Sequence, residues 1–116
     1  MPTEIRHIIF SSAEVLEAIA RFFRQRGKPL PGGQVCEAGP ADTLPNEPVI
    51  FRVVTAPNEP HATEPQRLDL FGAELTSALI GYCRHRDIPL PVKGSKSLER
   101  FGSRIGLIVS TAGRNP

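Results

Sequence analysis

The stretch AEVLEAIARFFRQRGKPLP (residues 13–31) aligns without gaps on AELTSALIGYCRHRDIPLP (residues 73–91), at an offset of 60 residues. Eight of the 19 pairs are identical: Ala13/Ala73, Glu14/Glu74, Ala18/Ala78, Arg24/Arg84, Arg26/Arg86, Pro29/Pro89, Leu30/Leu90 and Pro31/Pro91. Background composition gives roughly one such match. Val15/Leu75, Ile19/Leu79 and Phe22/Tyr82 match in character. Self-similarity at a fixed offset reads as duplication. The expectation is one domain, residues 1–116, with pseudo-repeats at about 4–55 and 67–110.

Each copy has the period of an amphipathic helix. Val15, Ile19, Phe22 and Phe23 form one apolar stripe, and Leu75, Leu79, Tyr82 and Cys83 repeat its spacing. Ser11, Ser12, Ala13 and Glu14 make a capping box that starts the first helix at about Ser12. Gly27 suits the left-handed cap, Asp87 takes its place in the second copy, and the following prolines prevent continuation.

Outside the helices, residues 4–10 and 67–71 alternate in step, Ile8 falling on Leu68 and Phe10 on Leu70. VIFRVVT (residues 49–55) is a β-branched strand, and IGLIVS (residues 105–110) is its counterpart. The predicted class is α+β, with duplicated β-α-β halves forming a ferredoxin-like βαββαβ sheet and two helices on one face. Residues 34–38 suit a short extra strand, whereas SKSLERF (residues 95–101) reads as a short helix, with strand as the alternative. Proline makes up 12 of 116 residues and concentrates in loops 39–48 and 56–65, each containing Pro-Asn-Glu-Pro; stiff exposed connections explain them. Residues from 113 onward read as a frayed tail.

The strand VIFRVVT is apolar on both faces except for Arg52, which implies cover on both sides. Pairing of two sheets in a homodimer would supply that cover, and so would a covering segment. Net charge is +2 and the pI about 8.8, less basic than a dedicated nucleic-acid binder. The longest apolar run, residues 105–109, is too short to span a bilayer, and the first ten residues are not a signal peptide. Cys36 and Cys83 lack CxxC spacing, and Cys83 with His85 at i,i+2 would face apart on a helix. No metal or other cofactor is expected, and the expected location is cytoplasmic.

Three functional readings compete. Lys93, Gly94, Ser95, Lys96 and Ser97 would hold an anion if a helix began there, although GxxxxGK[ST] is absent. The basic helix ends (Arg21, Arg24, Arg26, Lys28, Arg84, His85 and Arg86) could join Lys93, Lys96, Arg100 and Arg104 in a positive face for nucleic acid. Cations at helix C-termini are equally what the helix dipole favours. The final strand has no aromatic for base stacking, which weighs against RNA on the sheet. Catalysis finds no Ser/His/Asp or Cys/His arrangement, and Glu14 and Glu74 are explained as first-turn anions.

IRHIIFSSAEV and IPLPVKGSKSLERFG resemble stretches of a family of short alphaproteobacterial proteins with a helix, a Pro-Leu-Pro and a Lys-Ser-Leu turn. The resemblance implies a bacterial cytoplasmic origin and brings no activity with it. The leading expectation is therefore a non-enzymatic binding or regulatory module acting through protein contacts, as a homodimer or with another protein. Nucleic acid or an anionic ligand is the alternative, a small enzyme comes third, and no membrane partner is expected.

Overall fold

The computed structural model describes residues 4–27, 34–56, 65–91 and 94–111. Their order is β1 (Ile5–Phe10), α1 (Ser12–Gln25), β2 (Gln34–Pro40), β3 (Ile50–Ala56), β4 (Gln66–Phe71), α2 (Gly72–His85), β5 (Ser95–Phe101) and β6 (Arg104–Ser110). The chain is α+β, and it builds two three-stranded antiparallel sheets, β1-β6-β5 and β2-β3-β4.

The expected ferredoxin-like single sheet is not what forms. Each sheet takes the first strand of one half and the closing hairpin of the other. Exchanging the halves (β1 with β4, β2 with β5, β3 with β6) turns one pairing scheme into the other. The added hairpin strands cause the difference. β2 follows the 34–38 expectation, and β5 replaces the short helix expected over 95–101. In β5, Lys96, Leu98 and Arg100 lie opposite Val109, Leu107 and Ile105, while Ser95, Ser97 and Glu99 occupy the other face. Gly102 and Ser103 join β5 to β6, with Gly102 at φ +64°.

The helix ends follow local rules. The Ser11 hydroxyl accepts the Glu14 N–H at 3.2 Å while the Glu14 carboxylate accepts the Ser11 N–H at 2.9 Å, completing the capping box. α2 has no such box: its N-cap is Phe71, and Gly72 at φ +59° turns the chain straight from strand into helix. Asp87 at φ +56° closes α2, where the Ile88 N–H donates to the Cys83 carbonyl and the Asp87 N–H to that of Arg84. That is a Schellman cap carried by aspartate instead of glycine.

One core joins both sheets and both helices. Val15, Ala18 and Ile19 of α1 and Leu75, Ala78, Leu79, Tyr82 and Cys83 of α2 pack on the inner sheet faces. Phe10, Ile105, Leu107 and Val109 come from one sheet, and Phe51, Val53 and Leu70 from the other. No helix among the described residues is long and apolar enough to cross a membrane.

Candidate functional site

The outer faces of the two sheets, turned away from this core, differ at three equivalent positions, although Ile50 and the 54% exposed Phe71 share the face of Arg52 and Asp69, and Glu99 and Arg104 share that of Gly106. In β2-β3-β4, Arg52 pairs across the strands with Asp69. Its Nε and Nη2 donate to the two carboxylate oxygens at 2.9 and 3.3 Å, and Arg67 Nη2 adds a third bond at 3.1 Å. The Arg52 hydrogen bond, ahead of Arg67, holds the Asp69 carboxyl below its ordinary range, and the same bond raises the Arg52 guanidinium above its own.

In β1-β6-β5 the register puts Gly106, Ile9 and His7 where the first sheet has Arg52, Asp69 and Arg67. Ile9 lies opposite Gly106 and His7 opposite Ile108. Ile5 and Ile9 are 58% and 45% exposed, a large share for isoleucine in a strand. Phe101 folds its ring over Gly106: a Cβ there would sit 2.5 Å from the Phe101 Cε2. The ring reaches His7 across the sheet, at 6.4 Å between centroids and 50° between planes. Ile5, His7, Ile9, Phe101 and Ile108 thus make an apolar stretch of this face, bordered by Ser97, Glu99 and Arg104, without an ion pair among the described residues.

The residues expected to bind an anion are scattered. Lys93 and Lys28 lie outside the described residues. With β5 a strand, no helix start lies at Gly94–Ser97, and Ser95 and Ser97 face opposite to Lys96. Gly94 is explained by packing: it sits at φ +133°, and a Cβ there would lie 2.6 Å from the Ser110 carbonyl oxygen. Arg100 is engaged, donating to the carbonyls of Gly102 at 3.0 Å and Ala41 at 3.1 Å and to Asp42 at 3.2 Å. Arg86 pairs with Glu17 at 3.0 Å and lies 5.4 Å from the Tyr82 ring centroid, and Arg26 covers the Phe22 ring at 4.4 Å. The Arg86 hydrogen bond draws the Glu17 carboxyl below its usual value.

Two basic residues do converge. A groove of about 360 Å³ between α1 and α2 is lined by Arg21, Gln25, Ser77, Gly81 and Arg84 above Ala18 and Ala78. Neither Arg21 nor Arg84 has an ion-pair partner among the described residues. Arg24 is exposed in the last turn of α1. No group of three His, Cys, Asp or Glu residues suited to a metal occurs among the described residues. Cys36 is exposed and Cys83 buried, and burial pushes the Cys83 thiol up. No family model, curated protein or solved structure matches the chain.

Proposed function

We propose that the protein is a small non-enzymatic binding or regulatory module that acts through protein contacts, with the outer face of β1-β6-β5 as its docking surface. One observation carries the reading: Arg52, Asp69 and Arg67 of one sheet are replaced at equivalent register by Gly106, Ile9 and His7 of the other. The central inner positions are apolar in both sheets: Phe10, Ile105 and Leu107 in one, and Leu70, Phe51 and Val53 in the other. The two halves read as copies of one unit, so a change confined to outer positions costs the fold little and alters what the surface can touch. Apolar surface on a strand face, near an imidazole and a phenylalanine ring, suits protein contact better than phosphate. Free thiols agree with a reducing, cytoplasmic setting.

The test places a photoreactive side chain at position 9 or at position 67 of the full chain and irradiates it in cells. Covalent protein adducts, to a second copy or another protein, are expected from position 9 and not from position 67. Equal adducts from both, or none from position 9, would refute the reading.

A second reading is a small oxyanion in the inter-helix groove, because Arg21 and Arg84 both line it without a carboxylate partner. Two guanidinium groups with the Gln25 amide and Ser77 hydroxyl form a donor-rich wall. Titrating inorganic phosphate while following backbone amide shifts tests this. Shifts confined to α1 and α2 that vanish in an Arg21→Gln/Arg84→Gln variant support it, and shifts surviving in that variant overturn it.

A further inference from the structure

We infer that the partner docking at this surface is a second copy of the chain, and that the two copies pair edge to edge through antiparallel β1 strands centred on His7. The inference rests on the protein-contact reading above and specifies its partner. In the order β1-β6-β5, β1 is an edge strand, and among the described residues no backbone hydrogen bond is made on its far side. The Glu4 carbonyl accepts the Thr111 N–H at 2.9 Å, so the polar backbone groups of Glu4 face β6. Antiparallel ladders alternate. Arg6, Ile8 and Phe10 therefore also face β6, while Ile5, His7 and Ile9 direct their N–H and C=O groups outward.

Those three residues fix the register. In a two-fold antiparallel pair, facing residues must both present outward groups, so the residue numbers of each facing pair share one even sum. Centring on His7 sets Ile5 against the other copy's Ile9, and His7 against His7. All six outward groups of each strand, two on each of three residues, are then paired. Among the described residues of β1, a shift of two residues in either direction leaves one residue of each strand without a partner. The same register places isoleucine on isoleucine at both ends of the outer face, extending the apolar surface across the junction instead of breaking it.

Of the other three edge strands, β5, β2 and β4, the last shows the contrast. β4 is the equivalent strand of the second sheet, and its outer face carries Arg67 and Asp69, tied to Arg52. Charge on an outer edge is a common device against strand addition. β1 has only His7 there. The strand sequence Ile5-Arg6-His7-Ile8-Ile9-Phe10 is rich in β-forming residues, which suits an edge meant to be completed.

Sedimentation velocity of the full chain from low to high micromolar concentration tests the pairing, beside His7→Pro, His7→Lys and Ile108→Lys. Proline at position 7 removes an N–H that points away from β6, so the intramolecular ladder survives; circular dichroism checks this. It deletes two hydrogen bonds from the dimer, at about 1 kcal/mol each, and weakens association roughly thirtyfold. His7→Lys opposes two like charges and has the same direction of effect without any backbone change. A His7→Cys/Cys36→Ser chain is expected to form a disulfide dimer on mild oxidation, because facing Cα atoms in such a pair are about 5.5 Å apart. A dimer lost in both His7 variants supports the inference. A dimer that survives both but is lost in Ile108→Lys overturns the edge pairing and leaves the face reading standing. A monomer throughout overturns the second copy as partner while adducts at position 9 still speak for another protein. A dimer indifferent to all three variants overturns both.

Discussion

Replacing Thr55 by valine should stabilise the protein, and the size of the gain follows from a single oxygen. Thr55 is 2% exposed on the inner face of β3, and its Oγ1 has no hydrogen-bond partner among the described residues. Burying an unpaired hydroxyl costs about 1–3 kcal/mol in mutational series. Valine keeps the β-branched shape and puts a methyl where the hydroxyl was. The other half already holds the outcome: the equivalent position on β6 is Val109, fully buried beneath the same core. Thr55→Val is therefore expected to raise the unfolding free energy by about 1–2 kcal/mol, or Tm by roughly 3–10 °C. The reciprocal Val109→Thr should lower stability by a similar amount. Urea unfolding of the three proteins measures both, with an unchanged slope showing that only stability moved. A Thr55→Val variant less stable than the parent would show that the hydroxyl has a native partner, and the reasoning would fail.

Four other outcomes follow from named contacts. Gly94→Ala should destabilise by about 1–3 kcal/mol in the same assay, because the new methyl meets the Ser110 carbonyl oxygen at 2.6 Å and the residue must hold φ +133°. Asp69 has a folded pKa depressed foremost by the Arg52 hydrogen bond. Its contribution is thus full above the unfolded value of about 3.9 and is lost as pH falls through the lower folded value, so Asp69→Asn should flatten that acid limb of stability. Glu17 and Arg86 are 51% and 52% exposed, so Glu17→Gln should leave neutral-pH stability within about 0.5 kcal/mol. A thiol reagent should label Cys36 at once and Cys83 only on unfolding, because Cys83 is buried within the core; equal rates would contradict the packing of α2.

The helices were legible because their signals are local. The apolar stripes, the Ser11–Glu14 box and the left-handed residues Gly27 and Asp87 act within one or two turns, and α1 and α2 start 60 residues apart. The sheets were not, since pairing β1 with β6 joins residues about a hundred positions apart and leaves no local trace. β5 misled through composition: Ser95 to Phe101 alternates only weakly, with cations at Lys96 and Arg100 on the core-facing side. A usable signal stood beside it, since Gly102-Ser103 between two seven-residue segments is a two-residue hairpin loop. The anion site failed with that strand, because its chemistry depended on free N–H groups at a helix start. Cover on both faces of VIFRVVT is met on one side only: Phe51, Val53 and Thr55 are buried, whereas Ile50, Arg52 and Val54 stay half-buried on the outer face.

The proposed docking face escaped sequence reading for a different reason. Ile5, His7 and Ile9 alternate with Arg6, Ile8 and Phe10, and nothing in the strand says which set meets the core. Only the register with β6 decides it, by setting Phe10 against Ile105 and Ile8 against Leu107. Once that is known, the two halves serve as controls for one another. Positions fixed by folding agree: Phe10 with Leu70, Ile105 with Phe51, and Ala18 with Ala78 are apolar and buried in both. Positions free of the core need not agree, and there one sheet carries a three-residue ion-pair ladder while the other leaves Ile9 bare and covers Gly106 with Phe101. A sheet needing only solubility could have kept the ladder, since Arg52 and Asp69 show that the fold accommodates it at that register. On the proposed protein-contact reading, the exposed isoleucines mark where the contact falls, and the outward N–H and C=O groups of β1 give it its direction.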